Sequence, residues 1–147
     1  MNDLQSQKKS PLRFLPALAR VLMGLAFLVF GLNGFFHFIP QPNEAMPEGV
    51  TALMAGFAKS GYMMPLIFGT QALVGLLLLI NCFVPLALAL IAPVIVNIIC
   101  FHVFLMPSTI GPGIVVLLLE LYLAWSYRRV FAPMLACRVK PDVACHG

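Results

Sequence analysis

Six polar side chains interrupt the apolar stretches of this 147-residue chain: Asn33, His37, Gln71, Asn97, His102 and Glu120. A carboxyl and two imidazoles are the parts of a proton relay, because histidine exchanges a proton near neutral pH. The three amides beside them could orient a ligand by hydrogen bonds. A carboxylate inside hydrocarbon costs several kcal/mol unless it is paired, hydrated or protonated. No Lys or Arg lies at the depth of Glu120, so its candidate partners are His37, His102, Gln71, Asn97 and Asn33. Read as chemistry, the set is a proton-handling or ligand-binding site, with a quinone head group as the candidate ligand. Read as structure, it is a hydrogen-bonded plug, since such bonds are modest glue between helices.

Composition decides which solvent these residues meet. Hydrophobic residues make up 61% of the chain and charged ones 10%, and the mean hydropathy is +0.98. A soluble domain would be about half apolar and a quarter charged. The partner implied is the lipid bilayer and not nucleic acid, and the net charge of +4 reads as membrane topology. Four segments approach the roughly 20 residues that cross a ~30 Å hydrocarbon core: Phe14 to Phe36, Met64 to Ile80, Val84 to Leu105 and Gly113 to Phe131. They are apolar all round, with no amphipathic face left for water, as buried or membrane helices are. The expected fold is therefore an all-α four-transmembrane-helix bundle over residues 14–131, flanked by a segment 1–13 and a tail 132–147. The first apolar run has no small-residue cleavage site after it, so it is expected to stay as a span rather than leave as a signal peptide.

Lysines and arginines give the orientation, because short cytoplasmic loops collect them. Lys8, Lys9, Arg13 and Arg20 precede or begin the first span, and Arg128, Arg129, Arg138 and Lys140 end or follow the fourth; only Lys59 lies elsewhere. Both termini are thus expected in the cytoplasm, as an even number of spans requires. Arg20 is expected to snorkel its long stem toward the inner interface. Residues 81–83 form a tight inner turn, Met106 to Pro112 a short outer one, and only residues 38–63 make a long connection. Within it, Pro47 and Glu48 open a helix, Val50, Leu53, Met54 and Phe57 recur at helical spacing, and Gly61 stops it. This short amphipathic helix is expected to lie on the outer face and cover what is beneath.

With about 1.5 Å of rise per residue, Gln71 and Glu120 lie roughly 10 Å, Asn97 roughly 12 Å and His102 roughly 5 Å from the outer ends of their spans, with Asn33 and His37 near the outer end of the first. All six are thus expected in one outer polar layer. Asn33 and His37 share one side of the first helix, opposite a stripe of Arg20, Gly24, Gly31 and Gly34 suited to close helix contact. Gln71 shares a face with Gly75 and Leu78, and Glu120 with Gly113, Ala124 and Tyr127. Asn97 and His102 stand about 140° apart around their helix, so one of them must serve a different contact.

Four cysteines are present, Cys82, Cys100, Cys137 and Cys145, with no CxxC spacing. Cys137, Cys145 and His146 in the tail are too few and too scattered to read as a metal site, so no metal is expected. Tyr122, Trp125 and Tyr127 read as anchors at the inner interface. No nucleotide, flavin or haem pattern appears, and no nucleophile stands beside a base, so no cofactor is identified beyond the candidate quinone.

In ARVLMGLAFLVFGLNGFFHFIP, SGYMMPLIFGTQALVGLLLLI, FVPLALALIAPVIVNIICFHVFL and LLLELYLAWSYRRVFAPML, together about residues 19–135, the chain resembles the bacterial DoxX family. The resemblance implies a four-helix integral protein of the inner membrane in a family of largely undefined biochemical role, with wider relatives linked to quinone-dependent sulfur oxidation and redox stress. Cys82 and the cysteine-bearing tail depart from the family pattern. Two function classes stay open. One is a non-enzymatic accessory or assembly subunit, whose partners, other membrane subunits or a second copy of the chain, dock on the small-residue stripe or the outer helix. The other is a quinone-linked redox component in which Glu120 and a histidine exchange protons while a partner supplies electrons.

Overall fold

The computed structural model describes residues 14–40, 45–132 and 134, and among them every regular element is helical. Helix α1 spans Leu15–Phe36, with Pro16 in its first turn, where a missing N–H costs nothing. Helix α2, Glu48–Ser60, starts after Pro47 and ends at Gly61, whose φ of 75° is a left-handed turn that glycine takes without strain. Helix α3 is Met63–Leu79 and α4 is Val84–Leu105, joined through Asn81 to Phe83. After a single 3-10 turn at Pro107–Thr109 follow α5, Gly111–Ser126, and the short α6, Arg128–Phe131. The segment 1–13 and the tail from residue 135, with Cys137, Cys145 and His146, lie outside the described residues.

Helices α1 and α4, each of 22 residues with mean hydropathies of 2.1 and 2.6 over their most apolar windows, are long and apolar enough to cross a membrane, as in an integral membrane protein. Helices α3 and α5 are shorter, at 17 and 16 residues. The expected fourth segment to Phe131 is not one helix. It breaks at Tyr127, where Arg128 donates from its side chain to the Trp125 carbonyl at 3.0 Å, one of the carbonyls the helix end leaves free. Helix α2 meets α3 at a 91° bend, so the long connection folds as an element of its own.

Helix α1 packs on α3, α3 on α4, α4 on α5, and α5 back on α1, closing a ring. Its centre holds Met23 and Phe27 of α1, Val74 and Leu78 of α3, Leu88, Ile91 and Ile95 of α4, and Leu123 of α5. The α1–α3 seam is the tightest. A Cβ on Gly31 would stand 2.5 Å from the Ala72 backbone nitrogen, one on Gly24 would stand 3.1 Å from the Gly75 carbonyl oxygen, and one on Gly75 would run into the Leu28 backbone. This corrects the expectation that the small-residue stripe is a docking surface for partners, because α3 already occupies it. Helices surrounded by lipid gain little from burying apolar area, so backbone approach of this kind is what holds them.

Arg20 is also drawn into this seam. Its guanidinium donates to the Leu78 carbonyl, which also accepts the Asn81 backbone N–H at 3.3 Å, and reaches the Leu79 carbonyl at 3.5 Å, so it binds the last turn of α3. The head group is therefore held on protein rather than free at the interface.

Candidate functional site

Asn33 and His37 finish their own helix. The Asn33 side-chain oxygen accepts the Ile39 backbone N–H at 2.7 Å, and the His37 N–H donates to the Asn33 carbonyl at 2.8 Å while His37 itself turns left-handed at φ 51°. The His37 ring is exposed. These two residues form a C-terminal cap four positions apart, a spacing set by the helical turn.

Gln71 is buried on α3, 8% exposed, on the face it shares with Val74, Gly75 and Leu78. His102, half-buried on α4, has Nδ1 2.7 Å from the Ile98 carbonyl of its own helix, and that nitrogen lies 3.7 Å from where a Cβ on Gly113 of α5 would stand. Asn97 turns away: it is exposed, on the outer face of α4 with Leu86, Leu90, Pro93, Val96 and Phe104. The 140° separation expected between these two residues thus sends one inward to α5 and the other outward.

Glu120 is 8% exposed, and its Oε2 is enclosed without any hydrogen-bond partner among the described residues. It lines a cavity of about 300 Å³ with Leu88, Ala89 and Ala92 of α4, Ala124 of α5, and Arg128 and Phe131 of α6. These walls belong to the first half of α4 and the last turn of α5, the end of the ring that holds the α3–α4 turn. His37, Asn33 and His102 belong to helix ends at the opposite side of the ring, and none of the other five polar residues lines the Glu120 cavity. The residues expected in one outer layer therefore sit in separate surroundings: two in a helix cap, one on an outward face, one beside Gly113, one in the core and one in a cavity.

One contributor to this cavity does not stand out in the sequence. Arg128 stands at the rim, its guanidinium 4.8 Å from the centre of the Trp125 ring, a cation–π contact. An arginine eight residues, about two helical turns, after Glu120 is the signal that could point to it.

Helix α2 uses the face its spacing predicts. Val50 is 2% exposed, and Leu53, Met54 and Phe57 are half-buried. What it covers is a second cavity, about 560 Å³, lined among others by Met46, Val50, Met54, Phe101, Leu105 and Met106. The six polar residues are absent from that lining, so the helix caps an apolar space at the end of α4. Cys82 is half-buried and Cys100 exposed, both as free thiols, and among the described residues no three His, Cys, Asp or Glu side chains cluster as metal ligands would.

Compared with known proteins, the chain matches no family model, no curated protein and no solved structure.

Proposed function

We propose that the chain is a DoxX-like multi-pass protein of the bacterial inner membrane with four spans and both termini in the cytoplasm, acting as a non-enzymatic accessory or assembly subunit of a membrane complex. The observation that carries this reading is Asn97. It is an exposed amide well inside the most apolar helix of the chain, and an amide facing lipid leaves two donors and an acceptor without partners. A neighbouring subunit, a different membrane protein or a second copy, would supply them. Four spans are supported by the closed packing ring, in which α3 and α5, about 26 and 24 Å long, run alongside α1 and α4.

The test is purification of the full chain from its native membrane in mild detergent, beside an Asn97→Leu variant. Wild type is expected to bring down a stoichiometric membrane partner or run as an oligomer, and the variant to lose it while keeping its own thermal stability. A wild-type chain that purifies as a lone monomer defeats the subunit reading. Reporter fusions at the N-terminus, at residues 81–83 and at the C-terminus should all report cytoplasm, and a periplasmic C-terminus would refute four spans.

A second reading, a quinone-linked redox component, is favoured by the enclosed carboxyl of Glu120. It would need the electrons to come from a partner, with Glu120 handling only the proton.

A further inference from the structure

The outward faces of the long helices are not alike. On α1 that face carries Leu18, Leu22, Leu25, Val29 and Leu32, all exposed, and on α5 it carries Ile114, Leu118 and Leu121. Lipid tails are as apolar as these side chains, so such faces need no protein partner. On α4 the exposed residues Leu86, Leu90, Pro93, Asn97, Cys100 and Phe104 form the corresponding stripe.

The stripes of α1 and α4 both advance by alternate steps of four and three residues, the repeat that keeps one side of a helix against a neighbouring helix along its length. They differ in the middle. Where α1 is bulky throughout, α4 has Pro93, Asn97 and Cys100 in succession, and compact side chains let two membrane helices approach closely. Among the described residues, Asn97 is also the one carboxamide exposed within a helix, since Asn33 is half-buried and Gln71 buried. It stands eight residues from the end of α4, about 12 Å into the apolar helix.

Complementarity narrows what packs there. The stripe has no charged residue to match an acidic or basic partner. A carboxamide both donates and accepts, so two of them satisfy each other. Copies of one chain enter the membrane in the same orientation, and a two-fold axis along the membrane normal sets each residue of the stripe against its own counterpart. Asn97 then meets the partner's Asn97, and Cys100, the next position along, meets the partner's Cys100. A helix of another sequence would need a donor and an acceptor at the same depth, which a second copy brings by construction. A single asparagine in such a seam also fixes the register of the two helices.

We propose that α4 is a self-association face, on which two copies of the chain pair in parallel, α4 against α4, with their Asn97 amides bonded to each other. This rests on the subunit reading of Asn97 and names its partner.

The experiment uses the full chain in phospholipid vesicles, with Cys82, Cys137 and Cys145 replaced by serine so that Cys100, an exposed free thiol, is the only cysteine. Copper(II)–phenanthroline takes two electrons from a pair of facing thiols as their two protons leave, and the disulfide forms only where the Cα atoms come within about 7 Å. Rapid conversion to a disulfide-linked dimer is expected. A Cys100→Ser, Leu118→Cys chain, with its thiol on the outward face of α5, should link far more slowly. Asn97→Leu in the Cys100 chain should cut linking about tenfold, the effect of losing the interhelical amide pair, while Asn97→Gln, which keeps the amide, should restore most of it. Both variants should keep the parent's Tm in detergent, because the residue faces outward. Linking at Cys100 no faster than at position 118, or undiminished by Asn97→Leu, overturns the proposal. If the native-membrane purification then still yields a different membrane protein that Asn97→Leu loses, the subunit reading stands without self-association; a chain that neither links nor co-purifies with a partner ends both.

Discussion

The α1–α3 and α4–α5 seams are built from similar materials and come out differently. Both include small residues: Gly24 and Gly31 meet Ala72 and Gly75 in the first, and Ala89, Ala92 and Ala124 line the gap in the second, while Gly113 faces Ile98, Ile99 and His102. In the first seam Gly24 and Gly31 of α1 recur at helical spacing, Ala72 and Gly75 of α3 meet them, and the backbones touch. In the second, Leu88, Ile91, Ile95 and Leu123 fill the centre, and the spacing of two helices is set by the side chains at their contact. The alanines beside those large residues then leave a gap, which Glu120 helps to line. Small residues close a seam only where no large neighbour holds the helices apart.

The largest effect is expected from Gly31→Leu. The Ala72 backbone 2.5 Å from its Cβ position cannot yield as a side chain would, and the cost is expected to be at least about 3 kcal/mol, read as loss of folded protein or a large fall in Tm in detergent. A variant that folds normally would mean that α1 and α3 are not in backbone contact.

A smaller effect of opposite sign is expected from Glu120→Leu in the α4–α5 seam. Since Oε2 makes no hydrogen bond among the described residues, removing the carboxyl is expected to raise stability by about 1–2 kcal/mol, whereas a carboxyl serving as interhelical glue would make the same change destabilising. A lower Tm for the leucine variant than for Glu120→Gln would show that the carboxyl is bonded in the membrane. The smallest effect belongs to Gly113→Ala. Its Cβ would lie 3.3 Å from the Ile99 Cδ1, the movable end of a side chain, and stability should stay within about 0.5 kcal/mol of wild type. A fall comparable to that of Gly31→Leu would erase the difference between the seams.

Much of the helical framework is legible in the amino-acid sequence. Pro47 and Gly61 bound α2, and the spacing of Val50, Leu53, Met54 and Phe57 names its buried face. Those are local effects: proline fixes φ, glycine admits a left-handed turn, and an amphipathic helix carries its orientation in its own pattern. The break at Tyr127 is not legible in the same way, because Arg128 there reaches back to a terminal carbonyl, which an apolar count does not register.

Local pattern was enough to place the ends of α1 to α4, though not that of α5, and to fix how far apart around one helix two residues point, as with Asn97 and His102. What each residue faces was set by tertiary packing. Helices apolar all round carry no sign of which side is buried, so the same depth argument placed Asn33, His37, His102 and Glu120 in one layer. In the folded chain Asn33 caps its own helix, and Glu120 meets Leu88, Ala89 and Ala92 of α4. Rotation and sliding of one helix against another are set by which side chains interlock between them, and that information is held in pairs of residues distant in the chain.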